Sequence, residues 1–165
     1  RLAGGSSDLW TGNTFYGNSM YGNAGLGIDL GAAGVTENDV DDADTGPNDL
    51  QNFPNLTLAQ YAGGVLTVQG ALDSLASQNF TIEFYLGPVC WFGYGESYSY
   101  LGALLVTTDS NGIAVFSKDF SMSVVVPGGY SVFATAKNSN GSTSEFSHCM
   151  AVDGPKVIYM PLVRR

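Results

Sequence analysis

From Asn55 onward the chain alternates apolar and polar residues with a period of two, and this limits the fold more than any other feature. A half-buried strand turns one face to a core and the other to water, so its side chains must alternate in this way. Seven segments do so, at residues 56–61, 65–72, 80–87, 100–109, 112–120, 130–138 and 144–152. Gly63-Gly64, Ser110-Asn111-Gly112, Pro127-Gly128-Gly129 and Ser139-Asn140-Gly141 supply turn chemistry between them. The inward parity predicts a core of Leu66, Val68, Ile82, Phe84, Leu104, Val106, Val115, Val132, either Phe133 or Ala134, and Phe146.

No long stretch shows the helical period, so the expected class is all-β. Seven short strands within about a hundred residues predict an Ig-like antiparallel β-sandwich over residues 55–153. The tryptophan of true Ig domains is missing at its usual spacing, so the expectation covers topology alone. Composition agrees with an exported β protein: charged residues are 13% of the 165, about half the usual ~25%, and 22 residues are glycine. The net charge of -9 leaves no basic patch for nucleic acid or an anionic membrane surface. No run approaches the ~18 apolar residues of a membrane span. The first residue is Arg1, which suggests a processed form or a fragment.

The two cysteines, Cys90 and Cys149, flank much of the sandwich sequence. With no CxxC and one histidine, thiolate metal ligation is disfavoured. A disulfide is the expected form, with two buried free thiols as the alternative. The bond would close a loop of about sixty residues, worth roughly 4 kcal/mol by chain entropy. It would also place the chain in an oxidising compartment, secreted to the extracellular side and cell surface.

Residues 11–54 are punctuated differently. Gly12-Asn13, Gly17-Asn18 and Gly22-Asn23 recur every five residues, separated by Phe15-Tyr16 and Met20-Tyr21. Glycine supplies positive-φ corners and asparagine tolerates them, so tight turns alternate with short apolar pieces. The pattern is that of a solenoid coil. It resembles the last coil of right-handed parallel β-helix repeats in secreted bacterial surface proteins, a family in which a coil, an acidic linker and an Ig-like sandwich follow one another. Asn18 to Asn23, Gly25 and Gly27 to Leu30 match the coil. Gly34 to Thr36, Asn38-Asp39, Asp42 to Gly46 and Leu50 to Pro54 match the linker. The resemblance implies a β-helix-like terminal coil at 1–35 and a linker at 36–54.

That linker is crowded with acid: Glu37, Asp39, Asp41, Asp42, Asp44 and Asp49 lie within thirteen residues. Such carboxylates must be solvated or share a cation, and Asp39, Asp41, Asp42, Asp44 and Asp49 are candidate ligands for Ca²⁺. Their spacing is not that of an EF-hand. A hydrated interdomain loop with Asx-turns is the competing expectation.

Two further stretches suggest partners. The insert at 88–100, PVCWFGYGESYSY, offers Trp91, Phe92, Tyr94 and Tyr98, with Tyr100 beyond them, as a sugar-stacking platform or a patch for another subunit; a loop folded over a sheet edge is the alternative. The tail at 154–165, GPKVIYMPLVRR, resembles the apolar tails of surface proteins in filamentous bacteria, which implies export or attachment. Its Val157, Ile158, Tyr159, Met160, Leu162 and Val163 would form an edge strand, self-docked or donated to a neighbour, with Pro161 barring a central position. Sequons occur at Asn55, Asn79 and Asn140. His148 is expected as a strand residue beside the disulfide, and no GxSxG, P-loop, HExxH or paired-carboxylate framework is present, so no enzyme is expected. The sequence therefore reads as a self-assembling subunit of a filament or surface lattice. The alternative is a polysaccharide-binding module ending a larger β-helix protein.

Overall fold

The computed structural model describes residues 10–154 apart from 89, 92, 96 and 97. It is all-β, with antiparallel sheets and, among the described residues, no helix beyond two 3₁₀ turns, Val40–Asp42 and Pro47–Leu50. The strands are β1 (Asn55–Ala62), β2 (Val65–Asp73), β3 (Asn79–Gly87), β4 (Cys90–Trp91), β5 (Tyr94–Gly95), β6 (Ser99–Thr107), β7 (Ile113–Ser121), β8 (Ser131–Asn138) and β9 (Met150–Ala151). One sheet has the order β1-β2-β7 and the other β6-β3-β8-β9, while β4 and β5 form a small hairpin. The first two sheets stack as a sandwich, with β1 beside β8 and β9 on one flank and β6 beside β7 on the other.

Six of the seven expected strands form within a residue or two of their expected bounds. Alternation does the sorting: in β2, Leu66, Val68 and Leu72 are fully buried, and Ile82 and Phe84 of β3 meet them from the facing sheet. Phe84 makes edge-on contacts with Phe116 at 5.8 Å and Phe120 at 5.3 Å, which lock the centre of the core. Val115 departs from expectation. It is 81% exposed because its neighbours Ala114 and Phe116 carry the inward parity of β7.

The seventh expected strand shrinks to Met150–Ala151. Upstream, Ser144 and Ser147 replace the strand ladder with their side chains. The Ser147 N–H donates to Ala134 O, while Ser147 Oγ accepts from the Ala134 N–H at 3.0 Å. Ser144 repeats the exchange with Ala136, its Oγ accepting at 2.9 Å. Three residues on this segment thus span two on β8, and a regular ladder cannot form.

Strand β8 is buried on both faces, so Phe133 and Ala134 are both core residues. Ala134 faces β1 and β2. Phe133 faces a second cluster with Tyr85, Phe146, Ile28 and Leu30, and the last two come from the segment preceding the sandwich. The segment from Phe15 to Leu30 therefore lies over the outer face of the four-stranded sheet, and the stretch that follows reaches the end of β2. No strand forms within residues 10–54, but Gly12, Gly17 and Gly22 all take left-handed φ, at 76°, 59° and 69°.

Candidate functional site

Two buried carboxylates anchor the overlying segment. Glu83, on the outer face of β3, accepts hydrogen bonds from the Gly17 N–H at 3.2 Å and the Tyr85 hydroxyl at 2.6 Å. Glu145 accepts from the Leu30 N–H at 2.6 Å and the Thr36 N–H at 2.9 Å. Burial pushes the Glu145 carboxyl up to about 7 against those two bonds, with Asp29 and Glu37 adding repulsion. Asn48, fully buried, completes the stitching: its side chain donates to Asn13 O and Thr143 O and accepts from the Asn13 N–H.

The acidic stretch is in part a solvated loop, with Glu37 and Asp41 exposed, and in part a buried knot continued by the residues after it. Asp42, Asn48, Gln51 and Asn52 are all buried. Asp42 accepts from the Asn52 N–H at 2.9 Å, from Gln51 Nε2 at 2.6 Å and from the Ser74 hydroxyl, which ties the stretch to the end of β2. Burial raises its carboxyl to about 6 despite those donors, and Asp44 and Asp39 push the same way. Asn52 bridges Asp39 O and Asp73 O, and Asn38 pairs with the backbone of Phe53 through both ends of its amide. The chain reaches this shape through left-handed Asp41, Asp42, Asn48, Asp49 and Leu50. Asp and Asn tolerate that region better than most residues; leucine does not.

Of the five candidate calcium ligands, Asp39, Asp42 and Asp44 converge, with carboxylate oxygens within 4.8 Å of one another. Asp41 and Asp49 fall outside that group, and Asp49 instead accepts from the Ser142 hydroxyl at 2.7 Å. Oxygen donors suit a hard cation, and Asp44 Oδ1 is buried without a partner. The other two carboxylates are already engaged: Asp39 accepts from the Ala43 and Asp44 N–H groups, and both oxygens of Asp42 are taken. Among the described residues the cluster is a polar knot before it is a metal cage.

Cys90 and Cys149 are joined as a disulfide, 59 residues apart. The bond pins the β4–β5 hairpin to the segment following β8, and the Cys149 N–H donates to Gly93 O at 2.9 Å. Gly95 sits so close to Phe133 that a Cβ would lie 2.2 Å from its ring. Pinned in this way, the insert divides its aromatics. Tyr94 is buried rather than displayed: its ring lies 4.2 Å from that of His148 and its hydroxyl donates to Glu37. Burial and that bond hold the phenol protonated up to about 12. Its hydroxyl is also 3.1 Å from His148 Nε2, a cluster of acid, phenol and imidazole that sequence spacing did not suggest. Beside it a mostly apolar cavity of about 690 Å³ opens between residues 23–35 and β5, with Asp29 in its wall. Phe92 and the Trp91 side chain lie outside the described residues.

Tyr98 is exposed, and the structure gives it partners that the sequence did not reveal. Its ring stacks on Tyr21 at 4.1 Å, and Tyr100 lies 5.6 Å from Tyr16, so four exposed tyrosines share one surface. The sequons Asn55, Asn79 and Asn140 are all exposed. Val157, Ile158, Tyr159, Met160, Leu162 and Val163 lie outside the described residues. No described helix is long and apolar enough to cross a membrane. No protein-family model and no curated protein matches the chain.

Proposed function

We propose that this chain is a secreted, non-catalytic structural protein whose copies assemble into an extracellular filament or surface lattice through the tail at 157–163. One observation carries the reading: where the described residues end, at Gly154, the adjoining strand β1 has little edge left for a further strand. Asp153 already bridges Gln60 in parallel, with its carbonyl accepting from the Tyr61 N–H at 2.7 Å. Beyond that bridge β1 offers only Tyr61 and Ala62 before the Gly63-Gly64 turn. A seven-residue apolar run needs more edge than this, which favours donation to a neighbour over self-docking.

Further support comes from the fold. We read the sandwich as Ig-like, since three strands faced by four, with the chain crossing between sheets after β2, β6 and β7, follow that plan. The left-handed glycines at five-residue spacing support reading 10–35 as a terminal coil. Cys90–Cys149 suits an oxidising, extracellular setting. The Glu37–Tyr94–His148 cluster is a clasp in this reading, because its phenol keeps its proton and its carboxylate accepts it. Deleting residues 155–165 should leave a folded monomer with an unchanged melting midpoint. Continued polymerisation of that deletion would sink the proposal.

The tyrosine surface favours a second reading, polysaccharide binding, since exposed rings offer flat faces to sugars. Tyr21→Ala and Tyr98→Ala should then each abolish retention on a polysaccharide panel without changing assembly. Equal retention by both variants would remove it.

A further inference from the structure

We infer that the acceptor for the tail is the open edge of β6 on a second copy of the chain. This rests on the assembly reading above and names the surface it needs. Among the described residues strand β6 ends the four-stranded sheet, and its nine residues, SYLGALLVT, include no charge and no proline. None of the nine is buried, and Leu105 is 69% exposed. Soluble proteins blunt such edges with lysine, proline or short length, because free N–H and C=O groups pair with any strand that arrives. Strand β7, the neighbouring edge, follows the rule with Lys118 and Asp119. Strand β6 does not, apart from a register shift opposite Phe84 and Tyr85.

A groove of about 430 Å³ runs between residues 100–103 and 118–124, beside this edge. Leu101 and Met122, only partly buried against the core, lie along it. A strand added to β6 would cover them with its inward side chains while its backbone paired with the edge.

Three observations select residues 157–163 of another copy as the occupant. The run VIYMPLV has seven residues against nine in β6, and Pro161, lacking an N–H, suits a strand hydrogen-bonded on one side only. Gly154, the last described residue, lies beside Tyr61 on the β1–β9 flank, whereas β6 and β7 form the opposite flank. A segment that leaves one flank and is received on the other makes a heterologous contact, which repeats without closing. Finally, Lys156, Arg164 and Arg165 make the tail basic with no acid of its own, in a chain of net charge -9. That charge draws a tail to the body of another copy.

The test uses the full chain, followed by size-exclusion chromatography and electron microscopy. Ala103→Lys with Leu105→Lys charges the edge, and Val115→Lys, at an 81% exposed position on β7, is the control. Wild type and V115K should assemble alike, while the double variant should give at least about tenfold fewer oligomers with an unchanged melting midpoint. Mixed into wild type, the double variant should shorten the filaments, since it keeps a donor tail but lacks an acceptor. If the double variant melts early, Leu105→Lys alone is read in its place. Assembly of the edge variant at the wild-type level overturns the β6 assignment and leaves the assembly reading standing. A wild-type chain that stays monomeric overturns the assembly reading itself, and this inference with it.

Discussion

Acidification from pH 7 toward pH 5 should stabilise this protein, the reverse of ordinary acid denaturation. The groups responsible are Asp42, raised from 3.8 to about 6, and Glu145, raised from 4.5 to about 7. Both are buried, and their hydrogen-bond donors are backbone N–H groups and neutral side chains. A carboxyl whose folded pKa exceeds its unfolded one holds more protons in the native state between the two values. Its stabilising contribution is therefore complete below the unfolded pKa and is lost as pH rises through the folded one. At ~1.4 kcal/mol per pH unit each group accounts for about 3 kcal/mol at most. Solvent reaching part of each carboxyl reduces this to about 1–2 kcal/mol apiece, or about 3 kcal/mol together. For a chain of this size that corresponds to a rise of about 6–12 °C in melting midpoint between pH 7 and pH 4.5. Asp44 is raised as well and acts in the same sense. Asp109 is lowered by the Ile113 and Asn111 N–H groups, so its contribution is lost as pH falls below 3.8 and bounds the rise on the acid side.

The assay is calorimetric melting at half-unit pH steps, on wild type and Glu145→Gln. The variant should lose roughly half of the pH-dependent gain, since the amide cannot titrate. A midpoint that falls steadily from pH 7 to pH 5 would refute the reasoning. So would a Glu145→Gln profile parallel to wild type.

Other perturbations probe the packing more directly. Gly95→Ala should destabilise by about 1–3 kcal/mol in denaturant titration, because its Cβ would meet the Phe133 ring and neither backbone nor ring has room to move. Asn48→Ala should cost about 2–4 kcal/mol, by stranding the polar groups of Asn13 and Thr143 and by placing alanine at φ 53°, and protease should then cut first within residues 10–35. Millimolar Ca²⁺ should leave the melting midpoint unchanged, since Asp42 and Asp39 are filled by protein donors; a reproducible rise would make Asp39, Asp42 and Asp44 a cation site.

The long strands were legible because alternation is a local signal and the turns that end it are local too. Gly63-Gly64, read as a turn, adopts φ of 57° and 84°. The segment 144–152 misled because its mix of polar and apolar residues suits a half-buried strand, while the hydroxyls of Ser144 and Ser147 compete for the backbone groups of β8. Val115 misled because adjacent residues of β7 are both apolar and periodicity alone did not choose between them. The anchoring carboxylates were not legible as such. Glu83 meets Gly17 across 66 residues and Glu145 meets Leu30 across 115, and nothing local records such pairs. The acidic stretch is legible in the sequence as a crowd of carboxylates, but the burial of Asp42 within it is not. Its donors, Ser74, Gln51 and Asn52, are ordinary residues until the chain folds over them. Tyr94 gave no sign of turning inward, because the insert has no period from which to read a face.

The central claim is that copies of this chain join end to end by donating their tails. The most direct test is electron microscopy of the purified full-length chain, with intact-mass spectrometry of the same material. Regular filaments built from one species of this length, dissolving into folded monomers when residues 155–165 are removed, is the predicted result. Monodisperse particles at every concentration, or filaments that persist without the tail, would contradict it.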